Sequence, residues 1–351
     1  MEERIVAADT ARYKLVRKDW FAYNPMRLNI GSIARWQGED DILVSPDYIV
    51  FKCKGAGTHR LDPAYLDHFR RCHAWEEFVS EQGDGSVRVR IYYKDLARLQ
   101  LALPSFPEQQ EIAECLNSAD ALIVTQERKV KALKAHKKGL VQQLFPRAER
   151  VENGIKIPAE TQPSLRFPEF ASAGAWTRKT VDETCEIVNN RRRPITSNLR
   201  VAGPYPYYGA SGIVDYVDDF IFDETLLLVG EDGAKWGAFA QTAFLAGGKY
   251  WVNNHAHVLR PVKAVDAFLV NYLNMIDISP YVTGAAPPKL TLGKLKEIQV
   301  PLPPAYAEQQ IIADCLTSLD DLVGAETRKL HRLKTHKKGL MQQLFPSIRE
   351  E

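Results

Sequence analysis

Apolar residues recur in alternating steps of four and three over two long stretches of this chain. In the first they fall at Ile112, Leu116, Ala119 and Ile123, then at Val130 and Leu133, then at Leu140 and Leu144. In the second they fall at Ile312, Leu316, Leu319 and Val323, then at Leu330 and Leu333, then at Leu340 and Leu344. A period near 3.5 held for more than four heptads is the seam of a coiled coil, and it predicts two helices that each meet a helical partner along a narrow stripe. Both stripes break at matching places, at Gln126 or Glu326 and again at Lys137 or Lys337. Matched polar breaks fix register at some cost in stability. Pro107 suits a helix start, and Pro146 and Pro346 lie where each helix must stop. About 39 residues at a rise of roughly 1.5 Å make a rod about 58 Å long.

The two stretches are copies. Residues 108–146 read EQQEIAECLNSADALIVTQERKVKALKAHKKGLVQQLFP and residues 308–346 read EQQIIADCLTSLDDLVGAETRKLHRLKTHKKGLMQQLFP, with about 24 of 39 positions identical at a constant offset of 200. Each follows a Leu-Pro segment, LALPSFP or VPLPPAYA. Copies this far apart exclude a stacked solenoid and indicate two large units, each closed by the same helix. The chain therefore reads as a first domain over 1–106, a long helix over 107–146, a linker over 147–175 and a second domain over 176–305. A second long helix over 306–346 and a tail over 347–351 complete it. Two equal helices in one chain pair most simply with each other, which gives a pseudo-two-fold internal repeat.

Outside the helices the period shortens. TLLLV, AFLAG, YWVNN and HAHVLRPV are β-prone runs separated by turn signals at Glu231-Asp232-Gly233, Gly247-Gly248 and Asn253-Asn254, and DAFLVNYLNMID over 266–277 is helical. Residues 176–305 thus predict an α+β domain with a mixed sheet. KLVRKDWFAYNP, GSIARW, DILVSPDYIVFK and AYLDHFRRCHAW in the first region follow the same order as the elements from Phe220 to Asp277. Nothing there answers to residues 176–219, so the first domain is shortened at its start. The linker, rich in Pro, Ala, Glu and Ser, shows no periodicity.

Composition excludes more than it assigns. The 351 residues are enough for two cores. Cys53, Cys72, Cys115, Cys185 and Cys315 form no CxxC pair, which argues against a disulfide framework or a zinc site. No apolar run approaches the roughly 18 residues of a membrane span, and MEERIVAADT lacks a signal-peptide core, so the expected location is cytoplasmic. A formal net charge of +2 leaves any nucleic-acid contact to local patches.

Such patches sit in the turns. Arg191, Arg192 and Arg193 follow two asparagines. Tyr207, Tyr208 and Ser211 lie in a glycine-bounded loop, and Lys249, Tyr250, Asn253 and Asn254 cluster beyond it. In the first domain Arg17, Arg27, Asn29, Ser32 and Arg35 crowd one stretch. Arginine and lysine suit phosphates and guanine edges and asparagine suits adenine, so these are candidate DNA contacts. Each group also has a plainer reading: a three-arginine loop is commonly a solvated surface, and the tyrosines suit core packing equally well. Glu231 and Asp232 with Lys235 invite comparison with a nuclease site, but Glu-Asp-Gly is first a turn. No GxxxxGK[ST] or GxGxxG loop occurs, and no Asn- or Asp-Pro-Pro-aromatic tetrad of an amino-methyltransferase. A self-contained nuclease or methyltransferase is therefore disfavoured. A coiled-coil adaptor that does not read DNA is disfavoured by the large, turn-rich domains.

A doubled EQQ-I-A helix ending in KKGL-QQLFP, joined to YYGASGIVDYVDDFIFDETLLLVGEDG, VNNHAHVL, DWFAYNP and DILVSPDYIVF, resembles the specificity subunits of type I restriction-modification systems. The resemblance implies two α+β target-recognition domains joined by two long antiparallel helices, binding a bipartite site on double-stranded DNA, with no catalytic centre and no metal or cofactor of its own. It implies as partners two modification (methyltransferase) subunits using S-adenosylmethionine, and restriction subunits using ATP and magnesium. The shortened first domain departs from the family pattern.

Overall fold

The computed structural model describes residues 11–57, 60–81, 90–101, 103–152 and 155–345, so the expected stop at Pro346 and the tail 347–351 lie outside the described residues. The chain forms two compact units. One comprises Met1–Arg128 with Thr327–Glu351, and the other Lys129–Glu326. The units are not simple consecutive segments, because each takes the beginning of one long helix and the end of the other.

The first unit holds strands β1 (Lys14–Val16), β2 (Phe21–Tyr23), β3 (Ile33–Arg35), β4 (Ile42–Val44) and β5 (Ile49–Phe51). They form a β3-β2-β5 sheet and a separate β1-β4 pair, all antiparallel. Helices α1 (Pro63–Phe69), α2 (His73–Glu81) and α3 (Tyr93–Leu96) follow, then the 39-residue α4 (Phe106–Leu144). Asp62 starts α1 as sequence rules require: its carboxylate accepts from the Ala64 and Tyr65 amides, and Pro63 occupies the first turn. Phe21, Tyr23, Leu28 and Ile33 pack with Tyr65, Leu66, Phe69 and Trp75 in one core.

The second unit begins on the end of α4. The segment expected to be a featureless linker folds into a hairpin of β6 (Arg150–Glu152) and β7 (Ile155–Ile157), and then packs against its own unit. The domain that follows contains β8 (Thr177–Thr180), α5 (Val181–Thr184), β9 (Cys185–Ile187), β10 (Ala202–Gly209), β11 (Gly212–Val217), β12 (Phe222–Asp223) and β13 (Leu226–Gly230). It continues through β14 (Ala243–Ala246), β15 (Lys249–Val252), β16 (Ala256–Pro261), α6 (Asp266–Met275), α7 (Leu292–Glu297), β17 (Gln299–Leu302) and the 39-residue α8 (Tyr306–Leu344). Two four-stranded sheets result, β14-β13-β16-β9 and β11-β10-β15-β12, with β17 paired to β8. The run Leu226-Leu227-Leu228-Val229 is buried throughout because β13 is covered on both faces. Leu226 and Leu228 join Phe222, Tyr250 and Val252 between the sheets. Leu227 and Val229 join Phe268, Tyr272 and the long-helix residues Phe145, Ile312 and Leu316.

The first unit repeats part of this plan. β2, β3 and β5 occupy the places of β13, β14 and β16, and β1 and β4 those of β12 and β15, with the same antiparallel partners. Among the described residues of the first unit, β8, β9, β10 and β11 have no counterpart.

The helix pair is antiparallel in each unit. In the first, Lys337 meets Asp120 at 2.5 Å and Lys334 meets Glu127 at 2.6 Å. In the second, Lys129 meets Glu326 and Lys137 meets Asp320, both at 2.6 Å. Rising numbers on one helix thus oppose falling numbers on the other. Ile112, Leu116, Ile123, Leu330, Leu333, Leu340 and Leu344 are buried or half-buried in the first unit, as are Val130, Leu133, Leu140, Leu144, Ile312, Leu316, Leu319 and Val323 in the second. The polar breaks lie on the same stripe. Gln126 is buried, and Glu326, Lys137 and Lys337 take partners from the facing helix. Such part-exposed ion pairs contribute only about 0–1 kcal/mol each, so they specify orientation more than they stabilise.

Leu116→Ala and Leu316→Ala, each fully buried, are expected to cost about 2–5 kcal/mol, against less than about 0.5 kcal/mol for Leu122→Ala at 58% exposure. Urea unfolding of the three variants checks this, and equal losses at Leu116 and Leu122 would show that the stripe does not carry the packing.

Candidate DNA interface

Three loops of the second unit converge at one end of its sheets. The parallel pairing of β10 with β15 places Tyr207 beside Trp251 and Tyr208 beside Val252. The Arg193 amide donates to the Val252 carbonyl, and the Asn253 amide donates to that of Tyr208. The β10–β11 hairpin turns through Ala210 and Ser211 between two glycines, and Gly212, at φ +123°, adopts a conformation that side chains disfavour. Gly230 is required for a different reason: a Cβ there would lie 2.7 Å from the Ala210 carbonyl oxygen. The segments near 189–193, 209–212 and 252–255, far apart in sequence, thus form one neighbourhood, while Lys249 and Tyr250 lie at the far end of β15.

The candidate residues divide. Arg193, Ser211, Lys249 and Asn254 are exposed. Arg191 is also exposed, but its guanidinium pairs with Glu224 at 2.8 Å, donates to the Ile221 carbonyl and stacks over Phe222. Arg192 faces inward. It donates to Glu231 at 2.6 Å and to the carbonyls of Asn254 and Ala256, so it holds the loops rather than presenting itself to solvent. Tyr207 and Tyr250 are core residues at 1% and 0% exposure, which corrects their reading as surface contacts. The Tyr207 hydroxyl accepts from the Ile195 amide, and burial pushes the Tyr250 phenol pKa upward. Tyr208 is half-buried against Phe244 and Tyr250. Asn253 is buried and shapes its turn by accepting from the His255 amide.

Beneath these loops lies a group that sequence reading had set aside. Glu231 is 8% exposed and accepts from Arg192 and from Lys289 at 2.8 Å, with His257 Nδ1 at 3.6 Å. Burial works to raise its carboxyl pKa, but the bonds from Arg192 and Lys289 outweigh burial and hold it below the ordinary range. Asp232 is engaged with His255 at 2.5 Å and Lys289 at 3.7 Å. The partner in this cluster is Lys289, not the expected Lys235, and no acidic cluster suited to a metal occurs among the described residues. The nuclease comparison therefore has no geometric support. Lys289 lies 58 residues from Glu231 along the chain, so no local motif could have announced it.

His257 is buried, with Nδ1 at 2.9 Å from the Asn189 amide nitrogen and Nε2 at 2.8 Å from the Leu290 carbonyl. A neutral ring satisfies both, donating from Nε2 and accepting at Nδ1. Desolvation lowers its pKa from the usual 6.5, more than the Leu290 bond and Glu231 raise it.

In the first unit Arg27 and Asn29 are exposed on a tight turn, and Ser32 is half-buried with its amide donating to the Arg27 carbonyl. Arg17 pairs with Asp41 at 3.4 Å and lies over Trp20. Arg35 is largely buried beside Asp19 at 3.6 Å, which corrects its reading as a DNA contact. None of these meets a counterpart of the 189–212 loops among the described residues.

Residues 174–335, which contain the three converging loops, match the Type I restriction modification DNA specificity domain. The chain is similar to the type I specificity subunits. A putative type I restriction enzyme specificity subunit of Haemophilus influenzae, S.HindORF215P, is 40% identical over 144 residues, which is 40% of this chain and 37% of that protein. The putative MjaX specificity subunit of Methanocaldococcus jannaschii is 24% identical over 358 residues, 98% of this chain and 81% of that one. The crystal structure of a type I restriction-modification S subunit from M. genitalium superposes with a TM-score of 0.65 at 15% identity, over 95% of this chain and 84% of the other, which establishes the shared fold.

Protonation of a buried neutral histidine favours the unfolded chain. The contribution of His257 is therefore complete above pH 6.5 and is lost as pH falls below that value. Thermal unfolding of the whole chain should show a midpoint that drops between pH 7 and pH 5.5, with a shallower drop for His257→Gln; identical slopes would mean the histidine titrates normally.

Proposed function

We propose that the chain is the DNA-reading subunit of a type I restriction-modification complex and that its second unit reads one half of a bipartite duplex target. The observation that carries this reading is the convergence of Arg193, Ser211 and Asn254 on one exposed face, inside the segment that matches the DNA specificity domain. Arg193 supplies a charge for phosphate, and Ser211 and Asn254 are short polar groups able to approach base edges. Lys249, whose ammonium lies over Phe220 at the far end of β15, stands apart from this face.

In this reading the chain contributes binding and no chemistry. Modification subunits carrying S-adenosylmethionine and restriction subunits carrying ATP and magnesium dock on it, with the long helices as the shared support. No helix among the described residues is long and apolar enough to cross a membrane, and the proposed place of action is the cytoplasm, with the DNA. The first unit offers Arg27 and Asn29 to the duplex but lacks the loops from which the second unit builds its face.

Three substitutions separate reading from scaffolding. Arg193→Ala should weaken binding to target and scrambled duplexes alike and reduce the salt slope by about one. Asn254→Ala should cost about 1–3 kcal/mol on the target alone. Arg192→Ala should instead destabilise the second unit by about 3–5 kcal/mol, since it leaves the buried Glu231 short of a partner. Titrations of the chain assembled with its modification subunits, at two salt concentrations, check the first two. Wild-type affinity from Arg193→Ala and Asn254→Ala on both duplexes would overturn the assignment of this face.

A further inference from the structure

The aromatic end of each long helix sits in an equivalent nest. Phe145 packs on Phe268 and Tyr272 of α6, with ring centroids 4.8 and 5.6 Å apart. Phe345 packs on Tyr65 and Phe69 of α1 at 5.1 and 5.7 Å. In the second unit this nest is covered. Trp176 lies 6.4 Å from Phe145 and 5.9 Å from Phe268 and is itself buried. Arg166 reaches Glu308 with two bonds of 2.7 Å while donating to the Ala173 and Gly174 carbonyls, and Glu308 is fully buried. β8 then closes the site by pairing with β17 from Gln299 to Leu302.

Among the described residues, the first unit has the nest without the cover. Tyr65, Phe69, Leu103, Glu108 and Phe345 line an open groove of about 1080 Å³. Glu108, at the place of Glu308, is exposed and has no ion-pair partner among the described residues. Leu103, at the place of Leu302, is 36% exposed against 7%. Gln100, Leu101 and Leu103, at the place of β17, have no strand beside them among the described residues. The free edges of β4 and β5, where β10 and β9 would lie, point the same way.

We propose that this groove of the first unit takes a partner peptide segment with the chemistry of residues 165–180. That segment would bring an arginine to Glu108, a tryptophan ten residues later to the Phe345 nest, and then one antiparallel strand to the edge that carries Gln100, Leu101 and Leu103. The chain's own 165–180 cannot serve, because they already fill the second unit. Charge complementarity supports the assignment: Glu77, Glu81 and Glu108 line the groove, with Arg98 the one cation among its described walls.

A labelled synthetic peptide of residues 162–181, titrated against the whole chain by fluorescence anisotropy without DNA, tests this. Saturable binding is expected, weakened at least tenfold by Glu108→Arg and restored when the peptide carries Arg166→Glu. Glu108 is exposed and holds nothing in place, so the variant should melt as the wild type does. No saturable binding to the wild type, or equal affinity for Glu108→Arg, would overturn the proposal. So would binding that appears only after residues 346–351 are deleted, which would make the chain's own tail the occupant.

Discussion

Phe145 and Phe345 end two helices that begin elsewhere: α4 starts in the first unit and delivers Phe145 to the second, while α8 starts in the second and delivers Phe345 to the first. Each phenylalanine enters the aromatic nest of a domain helix. At the start of each long helix a buried glutamine fixes the domain helix that receives the other long helix's phenylalanine. Gln109 accepts from the Asp62 amide and donates to the Arg60 and Pro104 carbonyls, and Gln309 accepts from the Val265 amide. Asp62 and Val265 immediately precede α1 and α6. The domain helices α1 and α6 are thus each held by the start of one long helix and the tip of the other. Neither domain core is complete without residues from both copies of the repeat.

That dependence explains why the repeat is so closely kept at EQQ and at QQLFP. A helix surface facing only water tolerates drift, whereas Gln109, Gln309, Phe145 and Phe345 each fill a fixed site. The α+β class, the paired helices and the partial correspondence of the two domains were legible in the sequence because they rest on periodicity and on self-comparison. The roles of the glutamines were not, since a buried hydrogen bond to a distant amide leaves no periodic trace.

The proposed DNA face was legible only in outline. Turn chemistry indicated which loops would be exposed, but which side chain of a loop points outward depends on partners remote in sequence. Arg191, Arg192 and Arg193 are chemically identical neighbours with three different fates, set by Glu224, by Glu231 and by the lack of an acidic partner for Arg193 among the described residues. Tyr250 turned inward because β15 alternates and the inner face of its sheet is the core between the two layers. Tyr207, by contrast, is buried on the opposite face of β10, beneath Arg200 and bonded to the Ile195 amide.

The inward set around Glu231 has a consequence for how such a protein can change its mind. Arg192, Lys289 and His257 hold the loop backbones from behind, and none of those contacts runs through the outward side chains of Arg193, Ser211 or Asn254. Under the proposed reading, the residues that would choose the message are thereby uncoupled from those that keep the page flat. A substitution at the surface leaves the underlying clasp closed, so new side chains can be tried there one at a time on a support that does not have to be reinvented.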